Sequence, residues 1–164
     1  MTDQPPRAAH EVTFIRPMTH HDANGLGNVH GGVIMHQVDT AAGTAAARHS
    51  RRPAVTASID ELSFFGPVHV GELLIVRARV NAVWHTSMEV GVRVEAESWD
   101  GAQVRHTTSA YLVFVALGED GHPVEVPPLE LVTDLDRRRH HEADIRRHAR
   151  LERRERVKAS RDGL

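Results

Sequence analysis

The chain has 164 residues, 40% hydrophobic and 26% charged, the balance of one folded domain rather than a disordered segment. Its formal charge of −2 supplies no global field for nucleic acid or anionic membrane. With no cysteine, disulfides, thiolate zinc sites and a cysteine nucleophile are all excluded. The longest apolar run, Tyr111 to Leu117, falls well short of the roughly 20 residues that span a bilayer, so no membrane association is expected. The opening residues, with Asp3, Pro5, Pro6, Arg7 and His10, lack the apolar core of a signal peptide, and a cytoplasmic location is expected. Aromatic content is only 4%, so the core must be built from Val, Leu, Ile and Ala, a composition that favours help from partner subunits.

In chain order, Phe14 and Ile15 suggest a short first strand. The proline-free, Ala-rich stretch from Gly31 to His49 reads as a helix. Ile34, Val38, Ala41, Ala42 and Ala45 fall on one face, and the other side chains are small enough for the helix to be enclosed on nearly all sides. Four strand patterns follow: Val55, Ala57 and Ile59; Leu74 to Ala82; Met88 to Val94; and Val104 to Leu117. Turns are expected at Gly66-Pro67, Gly71, His85-Thr86, Asp100-Gly101 and Glu119-Asp120-Gly121. Short turns join the last three strands, so they should pair antiparallel, and one early helix before such a meander is an α+β pattern. Pro127-Pro128 precedes a change of composition, because residues 133–164 hold 11 of the 20 Lys+Arg but only 7 of the 22 Asp+Glu. A main domain over 10–130 and a charged appendage over 131–164 are therefore expected. The appendage reads as a helix from Asp134 to Lys158, solvated and lying against a neighbouring subunit.

The chemistry concentrates in His20–Gly43. Gly25, Gly27, Gly31 and Gly32 precede the helix, where backbone N–H groups are unpaired at its positive end. Such a site stabilises an oxyanion, as acyl transfer requires, although a plain connecting loop would have the same composition. The pattern is neither a dinucleotide fingerprint nor a P-loop. Asp39 is a lone carboxylate two turns into the helix, beside Met35, Ala42 and Ala46. It is either a structural acid with a hydrogen-bond partner or a general base or nucleophile.

The segments Asp22-Ala23-Asn24, Gly27-Asn28-Val29-His30-Gly31-Gly32 and Asp39 resemble the hotdog ACOT-type acyl-CoA thioesterases. Val55-Thr56-Ala57-Ser58, Phe64, Pro67 to Glu72, Thr86 to Val90, Phe114 to Leu117 and Pro127-Pro128-Leu129 extend the likeness over residues 12–130. The resemblance implies a long helix wrapped by a curved antiparallel sheet, homodimers whose sheets join, and assembly into hexamers as trimers of dimers. It implies acyl-CoA hydrolysis with Asp39, Asn24 and Gly32 catalytic, Asn24 and Asp39 coming from opposite protomers. Gly32 N–H would polarise the thioester carbonyl, Asn24 would hold the water or acyl group, and Asp39 would activate water or attack directly. Substrate contacts are expected at His30, Gly31, Phe65, Thr86 and Ser87. No cofactor is expected beyond coenzyme A as part of the substrate, and no nucleic-acid partner.

The chain departs from that pattern at Gly66 and at Trp84-His85, where related sequences carry arginines that could meet CoA phosphates. Thirteen histidines raise the question of a metal, with His20, His21, Asp22, His30 and His36 as candidate ligands, but their spacing fits no known motif and no metal is expected. Rival readings are a hotdog hydratase or dehydratase, a non-catalytic acyl-CoA-binding protein, and a weak nucleic-acid role for the basic tail, whose arginines could equally supply the missing phosphate contacts.

Overall fold

A computed structural model describes residues 5–162. The elements are β1 (Arg7–Ala8), β2 (Val12–Pro17), a 3-10 turn (His20–Asp22), α1 (Gly31–Ser50), β3 (Ala54–Phe64), β4 (Leu73–Val83), β5 (Ser87–Glu97), β6 (Val104–Ala116), β7 (Leu129–Glu130) and α2 (Asp134–Asp162). The signal-peptide reading falls partly on residues 1–4, outside the described residues.

Five strands form one antiparallel sheet in the order β2-β4-β5-β6-β3, which is the expected meander with the first strand added at one edge. Period-two patterning decides which side chains face α1. Leu74, Val76, Ala78 and Val80 of β4, Met88, Val90, Val92 and Val94 of β5, and Ala110, Leu112, Phe114 and Ala116 of β6 are buried against Ile34, Val38, Ala41, Ala42 and Ala45. Each buried Val or Leu contributes about 1.5–3 kcal/mol of hydrophobic stabilisation. Small residues let α1 lie close to the sheet: a Cβ at Gly43 would stand 3.4 Å from the Phe114 ring.

Only one face of α1 is enclosed. Met35, His36, Asp39, Thr40 and Arg48 are exposed, so the expectation of a helix surrounded on nearly all sides fails for the single chain. Side-chain size permits burial, but the sheet ends at β3 and none of the described residues continues it.

The structure adds a parallel pair, β1 with β7, that sequence patterning misses because two residues carry no periodicity. Beside it, Arg7 donates to the His49 carbonyl at 2.7 Å and tethers the start of the chain to the end of α1.

The tail helix is also more engaged than its charge suggests. The first half of α2 packs on its own sheet, on the face opposite α1, with Ala143 fully buried. Thr133 and Asp136 cap its start reciprocally, Thr133 N–H donating to Asp136 Oδ2 (3.0 Å) and Asp136 N–H to Thr133 Oγ1 (3.1 Å). Arg79 of β4 pairs with Asp136. Glu89 of β5, fully buried, accepts both Arg146 Nε (3.0 Å) and an Arg146 terminal nitrogen (2.7 Å), with Asn81 Nδ2 at 3.0 Å. Arg150 pairs with Asp60 of β3. Trp84 Nε1 donates to Asp144 at 3.0 Å while the Arg147 guanidinium lies 4.7 Å over its ring. Beyond Arg150 every described side chain of α2 is exposed.

Candidate active site

The site is built where residues 19–30 deliver the chain into α1. Asp22, 4% exposed, anchors this loop. Its carboxylate accepts Thr19 N–H (2.8 Å), the Thr19 hydroxyl (2.9 Å) and Arg16 (2.7 Å). The Thr19 backbone N–H is the main cause that holds Asp22 below the usual carboxylate range, and the hydroxyl and Arg16 add to it against the effect of burial. Asp22 is thus committed to structure rather than to a metal. Among the described residues, no three His, Asp or Glu side chains gather where they could hold a metal ion.

The Asp22 carbonyl accepts His30 N–H at 2.7 Å, closing the loop around Asn24. Asn24 Oδ1 accepts two backbone donors, Leu26 N–H (2.9 Å) and Asn28 N–H (3.2 Å). Because both partners are donors, the oxygen assignment is forced. The Asn24 amide NH₂ is left with no hydrogen-bond partner among the described residues and is available to a ligand.

His30 is the N-cap of α1, and its Nδ1 accepts Gly32 N–H at 2.8 Å. The ring therefore carries its proton on Nε2. A Cβ at Gly32 would lie 2.9 Å from that Nδ1, which explains the glycine. The oxyanion role expected of Gly32 thus meets an occupant, its own neighbour's imidazole. Gly31 N–H has no partner among the described residues, and Phe64 of β3 closes over Gly31, its ring 3.7 Å from where a Cβ would stand. Phe65 is exposed, and its ring lies tilted against His106 with the centroids 5.0 Å apart.

Asp39 lies on the open face of α1. Thr56 of β3 donates its hydroxyl to Asp39 Oδ1 at 2.6 Å, a short charge-assisted bond. Sequence patterning does not single out Thr56, because only its inward orientation on β3 brings its hydroxyl to the helix. Around this pair the surface is apolar and uncovered: Met35, Ile59 and Phe64 are each more than two-fifths exposed. β3 is also an edge strand, its outer backbone groups unpaired in the single chain.

Thr86 and Ser87 sit elsewhere in the chain. Met88 points inward to α1, so Ser87 points outward and lines a groove beneath α2. Within one chain Ser87 is therefore on the opposite face of the sheet from Asp39, with β6 between its strand and β3.

Residues 26–99 match the family model described as "Thioesterase superfamily". An uncharacterized acyl-CoA thioester hydrolase of Zymomonas mobilis is 39% identical over 114 residues, covering 66% of this chain and 72% of that protein. A hexameric acyl-CoA thioesterase solved without ligand superposes with a TM-score of 0.84 at 33% identity, covering 87% of this chain and 92% of the other. An acyl-CoA hydrolase from Staphylococcus aureus, solved as an Asn-to-Ala variant with coenzyme A, superposes at 0.89 with 28% identity and 96% coverage of both chains. The same enzyme was solved with an Asp or a Thr replaced by Ala. The chain spans only about a quarter to a third of the length of the rodent acyl-CoA thioesterases it matches, one of them cytosolic.

Proposed function

The chain belongs to the thioesterase superfamily, and from that premise we propose that it hydrolyses an acyl-CoA thioester to the free acid and coenzyme A. The observation that carries this reading is the Asp39–Thr56 pair. A carboxylate with one oxygen held by a hydroxyl at 2.6 Å keeps the other free to accept a proton. In the dimer proposed below, the N-terminal amides of the other protomer's α1 and its Asn24 NH₂ complete the site. The residues replaced in the Staphylococcus aureus enzyme, Asn, Asp and Thr, are spaced along its chain as Asn24, Asp39 and Thr56 are spaced here. That coincidence supports all three as one site.

In the proposed reaction Asp39 takes a proton from water, and the resulting hydroxide attacks the thioester carbon. The developing oxyanion binds Gly31 N–H directly, and Gly32 N–H once the His30 ring swings aside. Asn24 NH₂ orients the water or the acyl oxygen. The C–S bond then breaks, the CoA thiolate leaves without help from a metal, and the proton held by Asp39 passes to the thiolate, which restores the carboxylate. Direct attack by Asp39 would instead pass through an anhydride.

Asn24 and Asp39 are assigned to opposite protomers of a homodimer. The exposed apolar face of β3 supports this, because a second copy docked there would desolvate Asp39 and continue the sheet. Assembly of such dimers into a hexamer rests on the hexameric neighbour, and a cytoplasmic location on the cytosolic relative.

A thiol-release assay over a series of acyl-CoA chain lengths tests the proposal. Asp39→Ala is expected to lower kcat by about 10² or more, as loss of a general base does. Mixing Asp39→Ala with Asn24→Ala protein should restore part of the activity in hybrid dimers, in which one of the two sites is intact. Full activity in the Asp39 variant, or no recovery on mixing, refutes the corresponding assignment.

A further inference from the structure

Asparagine occurs at three positions in this chain, and one of them is followed by glycine: Asn24-Gly25, in the loop that enters α1. The other two are chemically restrained. Asn28 precedes β-branched Val29, whose N–H is bonded to the Val68 carbonyl at 2.8 Å. Asn81 lies inside β4, and its amide donates to buried Glu89 at 3.0 Å. At Asn24 each of these restraints is missing. Its Nδ2 has no partner among the described residues, the Gly25 N–H has none either, and Gly25 is exposed. Conformation does not demand the glycine: Gly25 lies outside the left-handed region, and a Cβ there would meet nothing within 4 Å.

The loop also holds the Asn24 amide in a reactive setting. Leu26 N–H donates to Asn24 Oδ1 at 2.9 Å, closing an Asx turn whose ring contains both the amide carbon Cγ and the Gly25 nitrogen. Asn28 N–H donates to the same oxygen at 3.2 Å. Two fixed backbone donors therefore aim at the atom that becomes negative when a nucleophile adds to Cγ. The nucleophile that the chain itself supplies is the Gly25 nitrogen, which carries no neighbouring side chain to obstruct it.

We propose that Asn24-Gly25 is a self-modifying site, where the amide used in hydrolysis turns into a carboxylate and the enzyme switches itself off with age. The consequence rests on the acyl-CoA reading; the chemistry does not. The Gly25 nitrogen gives its proton to solvent and bonds to Asn24 Cγ, and the oxyanion on Oδ1 is held by Leu26 and Asn28 N–H. The Cγ–Nδ2 bond breaks, Nδ2 takes a proton from solvent and leaves as ammonia, and a succinimide ring remains. Water then opens the ring, giving aspartate if the bond to Cγ breaks and isoaspartate if the bond to the backbone carbonyl carbon breaks. One water is consumed and one ammonia released, with no change of oxidation state. Either product has lost the Nδ2 donors and sets a negative charge opposite the carboxylate of Asp39 from the other protomer. Isoaspartate also lengthens the backbone between Asp22 and His30, where Asn24 N–H bonds the Asn28 carbonyl (2.7 Å) and the Asn24 carbonyl accepts Gly27 N–H (3.0 Å).

The test incubates the full chain in neutral buffer and follows it by peptide mass spectrometry and by thiol release from an acyl-CoA. The peptide holding Asn24 should gain the mass of an NH-to-O exchange, with isoaspartate detected in it, while those holding Asn28 and Asn81 keep theirs. Activity should fall in proportion to the chains converted, and Asn24→Asp should lower kcat/KM about tenfold or more from the start, through loss of the amide donor. Gly25→Ala should keep both its mass and its own starting activity over the same period. An Asn24 peptide that keeps its mass in the folded protein, while the same peptide cut free converts, overturns the proposal. Conversion at an unchanged rate in Gly25→Ala overturns it too, as does conversion without loss of activity. If fresh wild-type protein hydrolyses no acyl-CoA, it is the acyl-CoA reading that fails. Self-modification is then judged by the mass gain at Asn24 and its suppression in Gly25→Ala, and the absence of either overturns it.

Discussion

Removing Glu89 should detach the tail helix while leaving the α1 core standing. Its carboxylate is fully buried and accepts three hydrogen bonds, two from Arg146 at 3.0 and 2.7 Å and one from Asn81 at 3.0 Å. Glu89→Ala strands a guanidinium only 19% exposed and leaves the Asn81 amide without its acceptor. Breaking one side of a buried ion pair costs about 3–5 kcal/mol. Arg146 keeps its position over the Tyr111 ring, 3.7 Å from the centroid, and retains some water, so the lower end, about 3 kcal/mol, applies. For a chain of this length each kcal/mol shifts Tm by about 2–4 °C, giving a fall of roughly 6–12 °C. Thermal unfolding by circular dichroism measures it, and hydrogen exchange localises it: amides of residues 134–150 should lose protection before those of α1. Replacing both partners, Glu89→Leu with Arg146→Met, should recover most of the loss, because an apolar pair leaves no stranded charge. A Tm change under 2 °C with protection of α2 unaltered would refute the claim that this pair docks the helix.

Two further outcomes follow from the geometry. Thr56→Ala removes the hydroxyl that holds Asp39, and a hydrogen bond to a charged group is worth about 1.5–3 kcal/mol. A fall in kcat/KM of about tenfold or more is therefore expected in the thiol-release assay, with Thr56→Ser close to wild type. Equal losses in both variants would mean that the hydroxyl is not what matters. His49, 4% exposed, donates Nε2–H to the Pro127 carbonyl at 3.0 Å, while its Nδ1 is buried without a partner. Burial is the main cause that lowers its pKa below the usual imidazole range, so the unfolded chain binds the proton more readily than the folded one. Stability is thus fully present above pH of about 6.5 and is lost as pH falls from there toward the folded-state pKa. Melting temperatures between pH 7.5 and 5.5 should decline more steeply for wild type than for His49→Gln, and parallel curves would disprove the assignment.

The sequence by itself determined the α+β class, the antiparallel meander and the face of α1 that is buried, because each follows from a local period: two for β4, β5 and β6, and 3.6 for Gly31–Ser50. It also determined the chemistry of the loop at residues 22–32, since glycines, Asn24 and a following helix form one contiguous segment. Tertiary structure alone decided which groups meet across the fold. Thr56 reaches Asp39 because β3 turns that side of its pleat toward α1, and no spacing along the chain encodes a contact between residues on separate elements. The same holds for His30, whose imidazole takes up Gly32 N–H through a rotamer that composition does not specify. The tail was legible as a charged helix, but its placement depended on Glu89 and Asp60, which within their strands look like ordinary outward-facing positions, and on Trp84 in the turn after β4. Their purpose emerges only when α2 folds back, because a buried charge or an aromatic platform acquires its energy from the partner opposite it.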